Sequence, residues 1–323
     1  MRVAWETRFR LAQTAIERSQ QQLTRLQQQL ATGKRLISLA EDPVAFGRAR
    51  RLEEALQLVE RQQALLHGMV EEVRSAQSQV EELVAAVQDM EALLAAALDP
   101  KNLDKPALLA EQLRQRLEDV LRSANADFDG RYLFAGTATV LPGGERPFEL
   151  RRGAPTPENP SGLEILFRGN LAERRVMLAP GQEEVLSLRA DELFGAGGTE
   201  LFTVLIAAYN LLAYRADGSQ RPPEESLSAA ERTQVQALLP QLAALREMLE
   251  RAIARIGSRQ ARWELLAEHL QAYTVQLREF LSEAEDADIA RLALELQNAQ
   301  TTYHAVLQTS SRILTMSLFD FLR

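Results

Sequence analysis

The chain has 323 residues and a formal net charge of −8, with 25% charged and 46% hydrophobic residues. This acidic balance disfavours a nucleic-acid binder, which needs a basic surface to neutralise phosphates. The absence of cysteine excludes disulfide scaffolds and thiolate metal sites. No apolar run reaches the length of about 18 residues that suggests a membrane-spanning helix, and the start MRVAWETRFRLAQ lacks the features of a cleaved signal peptide.

A heptad pattern of apolar residues begins near the amino terminus. Its positions, spaced alternately by four and three, are Trp5, Phe9, Ala12, Ile16, Ser19, Leu23, Leu26 and Leu30. This spacing keeps one apolar stripe on one side of a helix and predicts a helix over residues 5–30. Gly33 is expected to end it, because glycine favours the left-handed position after a last turn. A loop containing Asp42-Pro43 follows.

A second apolar ladder runs over residues 52–98 for six heptads, which is typical of a coiled coil. Gln63, Gln77 and Glu91 each replace an apolar residue in it. These residues indicate one of two arrangements. Either the seam is thin enough for water to reach it, or buried polar groups fix the register of the paired helices. A third helix is predicted from Pro106, since proline suits the first turn, to about Asp127.

Glycine and proline accumulate over residues 130–189, where short β-like runs appear. Strands are expected over residues 131–135, 147–150, 163–167, 174–178 and 185–188. Glycine- and proline-containing turns separate them. This pattern predicts a small β-rich insert in a helical chain.

Helix returns over residues 199–214, and after a connector with Pro222-Pro223 the longest ladder extends over residues 238–280. Pro240 is expected to lie near the start of this helix or to kink it. The seam of a final helix consists of Ile289, Leu292, Leu296, Ala299, Tyr303, Val306, Ser310 and Ile313. The order of elements predicts a mainly α fold with a small β-rich insert, in which the amino- and carboxyl-terminal segments form a long antiparallel coiled-coil rod.

Five segments are expected along this rod. They are an amino-terminal assembly helix (residues 1–40) that pairs with residues 287–323, a first half of the rod (41–128), an outward-pointing β-rich insert (129–197), a second half (198–284) and a carboxyl-terminal assembly helix (285–323). An isolated amphipathic helix leaves about 1.5–3 kcal/mol per large apolar side chain exposed to water. The terminal stripes are therefore expected to pack against each other or against other copies, which indicates an assembly protein.

Residues suited to catalysis are sparse. His67, His269 and His304 stand alone on separate predicted helices, without metal-ligand spacing. The glycine-rich residues 195–198 lack the strand and lysine of a phosphate-binding loop and predict a helix-entry turn. The acidic residues within 283–288 are expected to cap the N-terminus of the helix that follows, where negative charge is favourable. We expect no enzymatic activity, no metal and no cofactor.

Three segments resemble a known family. Residues 28–35 (QQLATGKR), with Ser38 and the Glu41-Asp42-Pro43 triplet, resemble the amino-terminal signature shared by flagellins and flagellar hook-associated proteins. Residues 126–137 (ADFDGRYLFAGT) resemble the helix-to-insert junction of type 3 hook-associated proteins, the FlgL family. Residues 285–322 resemble the carboxyl-terminal signature of the same family. Together with the order of the helices, the resemblance spans essentially the whole chain.

The resemblance implies a structural component of the bacterial flagellum that forms a ring between hook and filament. The implied partners are further copies of the chain, a neighbouring hook-associated protein, flagellin, and an export chaperone on the carboxyl-terminal helix. Unprocessed export through the flagellar type III channel and an extracellular location are also implied. Neither a nucleic-acid partner nor membrane insertion is expected from the composition.

Flagellin is the nearest alternative. Flagellins usually continue the first signature with an Asp-Asp-Ala-Ala-Gly type of sequence and have an Asn-rich start, whereas this chain has Glu41-Asp42-Pro43 and begins MRV. A non-flagellar coiled-coil scaffold is a second alternative, although it would not need the β-rich insert. An enzyme hidden in the insert is the weakest, because that segment contains no histidine.

The seam residues are the candidates for packing between subunits. They are Trp5, Phe9, Ile16, Leu23, Leu26, Leu30, Leu292, Leu296, Tyr303, Val306 and Ile313. Leu26→Asp is expected to abolish incorporation into the assembly while leaving the central rod folded, because a charge in an apolar seam opposes packing.

Overall fold

The computed structural model describes the backbone of residues 2–100 and 105–321, and the side chains of residues 7, 9–100 and 105–312. The fold is 68% helical with small sheets of two strands each, which confirms the predicted mainly α fold class. The helices are α1 (Arg2–Thr32), α2 (Pro43–Leu98), α3 (Pro106–Ala124), α4 (Ala190–Phe194), α5 (Glu200–Ala213), α6 (Ala229–Glu285) and α7 (Ile289–Phe321).

Three antiparallel hairpins form the two-stranded sheets of the described residues. Their strands are β1 (Asp127–Phe128) with β2 (Arg131–Tyr132), β3 (Phe148–Arg152) with β4 (Leu163–Phe167), and β5 (Arg175–Ala179) with β6 (Gln182–Val185). Two predicted runs differ from this. Residues 133–135 are buried but irregular, and the last strand lies at 182–185 instead of 185–188, because Gly181, with a φ of 81°, turns the chain tightly after β5.

The contacts within the chain divide it into two units. One unit comprises residues 1–61 and 270–323, and the other comprises residues 62–269. We call them the terminal unit and the central unit. The expected division into five segments stays a prediction.

An aromatic cluster lies in the core of the central unit. The ring of Phe148 lies 4.9 Å from those of Phe167 and Phe194 and 5.4 Å from that of Phe202, and Phe134 meets Phe194 edge-on at 6.0 Å. These rings come from the insert, α4 and α5, so the insert shares a core with helices. Such rings dominate core energetics through the area they bury.

The β5–β6 hairpin packs against helix α6. Trp263 is fully buried there, and its Nε1 donates to the carboxylate of Glu184 on β6 at 3.2 Å. The same carboxylate accepts from Arg262 at 2.5 Å. Arg174, just before β5, forms an ion pair with Glu72 on α2. Hydrogen bonds and ion pairs thus attach this hairpin to helices α2 and α6 of the central unit.

Helices α2 and α6 are joined by ion pairs within the central unit. Arg246 reaches Glu91 at 3.2 Å, and Arg74 reaches Glu264 at 3.4 Å. The later residue on α2 pairs with the earlier residue on α6, so the two helices are antiparallel. Glu91, one of the polar heptad positions, therefore acts in inter-helix pairing, while Gln77 binds Glu81 on its own helix at 2.8 Å.

A buried arginine holds the connector between α5 and α6 in place by hydrogen bonds. Arg221 donates to the carbonyl oxygens of Leu212 at 3.2 Å and Tyr214 at 3.0 Å, and to the carboxylate of Glu231 at 2.5 Å. Glu231 in turn forms a capping box with Ser228, in which each side chain accepts the other's backbone N–H. Arg221 supplies the positive charge that the end of α5 lacks in its own last turn. Pro240 lies inside α6.

Candidate assembly surface

Two turns meet in the terminal unit, one after α1 and one between α6 and α7. The backbone N–H of Arg35 donates to the carbonyl of Glu285 at 2.6 Å, and that of Ala287 donates to the carbonyl of Gly33 at 2.9 Å. Gly33 has a φ of 69°, which ends α1 as predicted. The Lys34 ammonium also donates to the Glu285 carboxylate at 2.6 Å. The structure therefore joins two segments that carry the sequence resemblance.

Acidic residues at these turns cap the helices that follow. The Asp42 carboxylate accepts from the N–H groups of Val44 and Ala45 at the start of α2, at 3.1 and 2.9 Å. Asp288 accepts from the N–H of Arg291 at the start of α7, at 3.1 Å. The capping role expected within residues 283–288 is thus confirmed for Asp288. Glu285 of the same cluster binds a lysine instead, which its sequence position alone did not reveal.

Helices α1 and α7 pack on each other in the terminal unit. Leu26, Leu292 and Ala299 form a buried hydrophobic cluster, and Leu296 and Ala287 pack against it. All but Ala287 were predicted as seam positions. The two predicted stripes therefore meet within one chain.

The other predicted packing residues are distributed along the same pair of helices. Ile16, Leu23, Leu296, Tyr303 and Val306 are half-buried, whereas Phe9 and Leu30 are exposed. The side chains of Trp5 and Ile313 lie outside the described residues. Packing between subunits by this set stays a prediction, and since Leu26 and Leu292 are already covered by the chain itself, neighbouring copies have access mainly to the rims of the seam.

Exposed apolar side chains concentrate in the terminal unit. Of the nineteen large ones in the described residues, thirteen belong to this unit, although it has fewer described side chains than the central unit. They are Phe9, Leu11, Leu30, Ile37, Leu39, Val44, Leu58, Tyr273, Val275, Phe280, Ile289, Leu294 and Leu307. Such a concentration favours an interaction surface in this unit.

Heptad reasoning missed several members of this surface. Leu11 and Leu294 are 65% and 64% exposed, and both lie beside the seam instead of in it. Ile37 and Leu39 lie in the loop after α1, where no periodic pattern applies. The sequence did contain a signal for Leu11 and Leu294. An apolar residue outside the a and d positions of a coiled coil does not pack in a two-helix seam, so it is expected to be exposed.

The described residues contain no metal-binding cluster, and their histidines lie apart. Among them no group of three His, Asp or Glu side chains is arranged to hold a metal ion. His67 lies on α2, His269 on α6 and His304 on α7, and all are exposed. None of the helices, over its described residues, combines the length and hydropathy needed to cross a bilayer.

Comparison with known proteins shows a similar sequence segment and a similar fold. Residues 10–139 match the family model for the bacterial flagellin N-terminal helical region. The fold is similar to that of a Vibrio parahaemolyticus protein described as a flagellar hook-associated protein, with a TM-score of 0.62, 19% identity, and coverage of 76% of this chain and 100% of that one. No curated protein sequence matches the chain significantly.

Two further solved structures have the same fold. Legionella pneumophila flagellar hook-associated protein-3 gives a TM-score of 0.58 at 11% identity, and Bacillus cereus FlgL gives 0.53 at 15% identity. Each match covers 72% of this chain and 98% of the other. The chain thus contains a segment similar to the flagellin N-terminal helical region. Its fold is that of the hook-associated FlgL proteins, which confirms the predicted resemblance at the level of the fold.

Proposed function

We propose that this chain is a structural subunit of the bacterial flagellum that joins the hook to the filament as part of a ring of copies. The observation that carries the proposal is the concentration of exposed apolar side chains in the unit built from both ends of the chain. The flagellin N-terminal region in residues 10–139 and the hook-associated fold support the flagellar assignment.

The terminal unit is suited to association because its helix pair buries few large side chains. Leu26 and Leu292 lie inside the pair, while Leu11 and Leu294 are left in water. Burying apolar surface stabilises by about 25 cal/mol per Å². Neighbouring subunits that cover these side chains would gain this free energy, so assembly is driven mainly by the hydrophobic effect.

The partners follow from the same assignment. Further copies of the chain, a neighbouring hook-associated protein and flagellin are the proposed contacts in the flagellum. An export chaperone would bind α7, whose residues 296–311 contain no Asp, Glu, Lys or Arg and therefore suit an apolar groove. The chain would leave the cell unprocessed, through the flagellar export channel, and act outside it without catalysing a reaction.

Gene deletion combined with labelling tests the proposal. Cells without the gene should carry hooks that lack filaments and should release unassembled flagellin into the medium. Antibody-gold labelling of wild-type flagella should mark a single position at the hook–filament boundary. Label along the whole filament would instead identify a flagellin, and normal motility of the deletion strain would favour a non-flagellar scaffold.

A further inference from the structure

One side of the α2–α6 pair in the terminal unit is apolar and uncovered. On α2, Val44, Arg51 and Leu58 recur every seven residues, so they share one face of the helix. On α6, Tyr273 and Phe280 are also seven apart, and Glu283 continues that face. Val44 is 81% exposed, Leu58 45% and Phe280 44%. We call these six residues the Leu58 face.

The opposite side of the same pair is closed by an ion pair. Arg278 of α6 binds Glu60 of α2 at 2.8 Å. Because the helices are antiparallel, this ion pair fixes their register and places Leu58 and Phe280, each two residues away from it, at the same height. At about 100° per residue, Leu58 and Phe280 are turned to the other side of the plane through the two helix axes.

The Leu58 face has charges of opposite sign on its two helices. Arg51 on α2 and Glu283 on α6 are exposed, and neither takes part in an ion pair among the described residues. A copy of the chain placed face to face would therefore find a complementary surface. Its acidic α6 edge would lie against the basic α2 edge, with apolar side chains between them.

We infer that the Leu58 face binds a second copy of this chain, with α2 of one copy packed antiparallel against α6 of the other. The inference rests on the proposed function in taking the partner to be another subunit. In this arrangement Leu58 of one copy meets Phe280 of the next. Arg51 lies about 6 Å along the helix axis from the level of Glu283, at about 1.5 Å per residue, which is within reach of an arginine side chain.

This contact differs from the α1–α7 seam in its position and chemistry. The seam is closed within one chain, whereas the Leu58 face needs two chains to be covered. It also explains why a helix pair that forms an ion pair on one side leaves large apolar residues in water on the other. Because both copies use the same face, the contact is isologous and pairs two subunits, so a ring needs a second contact besides this one.

Cysteine cross-linking tests the contact, because the natural chain contains no cysteine. Two purified single-cysteine proteins, Leu58→Cys and Phe280→Cys, are mixed and mildly oxidised, and the disulfide-linked mixed dimer is quantified on a non-reducing gel. The matched control mixes Glu60→Cys with Arg278→Cys, which are exposed at the same height on the opposite side. The Leu58 face should give a mixed-dimer yield about threefold to tenfold above the control.

Charge reversal supplies the second measurement. Adding Arg51→Glu to the Leu58→Cys protein should lower the yield about threefold or more, because it faces Glu283 of the partner. Adding Glu283→Arg to the Phe280→Cys protein should then restore it, and such a recovery cannot come from misfolding. Equal yields at the two sides, or no recovery, would overturn the inference, while hook attachment in cells tests the proposed function separately.

Discussion

The Lys34 ammonium lies 2.6 Å from the Glu285 carboxylate, although 251 positions separate the two residues in the chain. Two backbone hydrogen bonds run beside this ion pair, from Arg35 to Glu285 and from Ala287 to Gly33. Together they join the turn after α1 to the turn before α7. The segments that resemble hook-associated proteins at the two ends of the sequence therefore form one local structure.

Neutralising this ion pair should have a small, pH-dependent effect. The hydrogen bond to Glu285 raises the pKa of Lys34, although desolvation opposes it. A raised lysine pKa stabilises the fold below the unfolded value of 10.5, and this stabilisation is lost as the pH rises through the folded value. Lys34→Met should lower the free energy of unfolding by about 0.2–1 kcal/mol at pH 7, because the pair is partly exposed.

Thermal unfolding of wild type, Lys34→Met, Glu285→Gln and the double variant measures this contribution. The coupling between the two substitutions should shrink as the pH is raised above 10.5. A coupling that stays constant up to the highest pH would contradict an ionic origin.

Gly136 should tolerate no side chain. It has a φ of 68°, and an added Cβ would lie 2.1 Å from the carbonyl oxygen of Asn170. Gly143 has the same φ of 68° but open space around it, so it is the matched control. Gly143→Ala should cost about 1 kcal/mol from backbone strain, and Gly136→Ala should cost a further 1–3 kcal/mol, roughly, from the collision. Chemical denaturation compares them, and equal losses would contradict the tight approach of Asn170.

The buried Arg221–Glu231 pair should be strongly coupled. Arg221→Met leaves the Glu231 carboxylate buried without its partner and should cost about 3–5 kcal/mol. Arg221→Met with Glu231→Met should recover part of this loss, since neither charge then remains. Arg215→Met, which breaks a more exposed ion pair with Glu225, is the control and should cost much less, because solvent screens that pair. Denaturant unfolding measures the three variants and wild type, and a loss for Arg221→Met no larger than that for Arg215→Met would contradict the coupling.

The same pair predicts an acid-sensitive stability. Burial alone would raise the pKa of Glu231, but hydrogen bonds from Arg221 and from the Ser228 backbone lower it overall. The stabilisation is therefore present above the ordinary value of 4.5 and is lost as the pH falls through the lowered pKa. Wild type should lose more stability than the double-Met variant between pH 5 and the acid limit of folding. Parallel pH profiles would contradict this assignment.

Leu26 and Leu294 should affect assembly by different routes. Leu26→Asp places a charge in the buried α1–α7 cluster and should loosen that pair. Leu294→Asp changes an exposed residue, so it should alter stability by no more than about 0.5 kcal/mol while still reducing incorporation into flagella. Val140→Asp, at a 69% exposed position of the central unit, should affect neither property.

Limited proteolysis of the purified variants and filament counts on complemented cells separate these outcomes. Faster cleavage within α1 and α7 is expected for Leu26→Asp but not for Leu294→Asp. Normal filament numbers with Leu294→Asp would show that the exposed rim of the seam is not an assembly surface.

The helices could be predicted because their stabilising pattern is local. The ladders over residues 52–98 and 238–280 lie inside α2 and α6, and the strand at 163–167 was placed correctly. Helix α4 was missed because five residues are too few to display a period. The packing of the β5–β6 hairpin against Trp263 was not predicted, since a carboxylate such as Glu184 gives no sequence signal of a tryptophan 79 positions away.

The candidate surface was predictable only in part. The seam positions followed from heptad spacing, and Leu26 and Leu292 indeed lie between α1 and α7. The Leu58 face could not be derived, because exposure depends on which sides of a helix pair remain uncovered. That property belongs to the three-dimensional arrangement and is not encoded in the periodicity of either helix.

The link between the two turns is made largely by main-chain atoms. The bonds from Arg35 to Glu285 and from Ala287 to Gly33 use amide and carbonyl groups, which every residue except proline can supply. Substitution of the surrounding side chains would leave these bonds available. Most residues of this junction can therefore be substituted during evolution while its hydrogen bonds are kept, provided that position 33 retains a residue able to adopt a left-handed backbone.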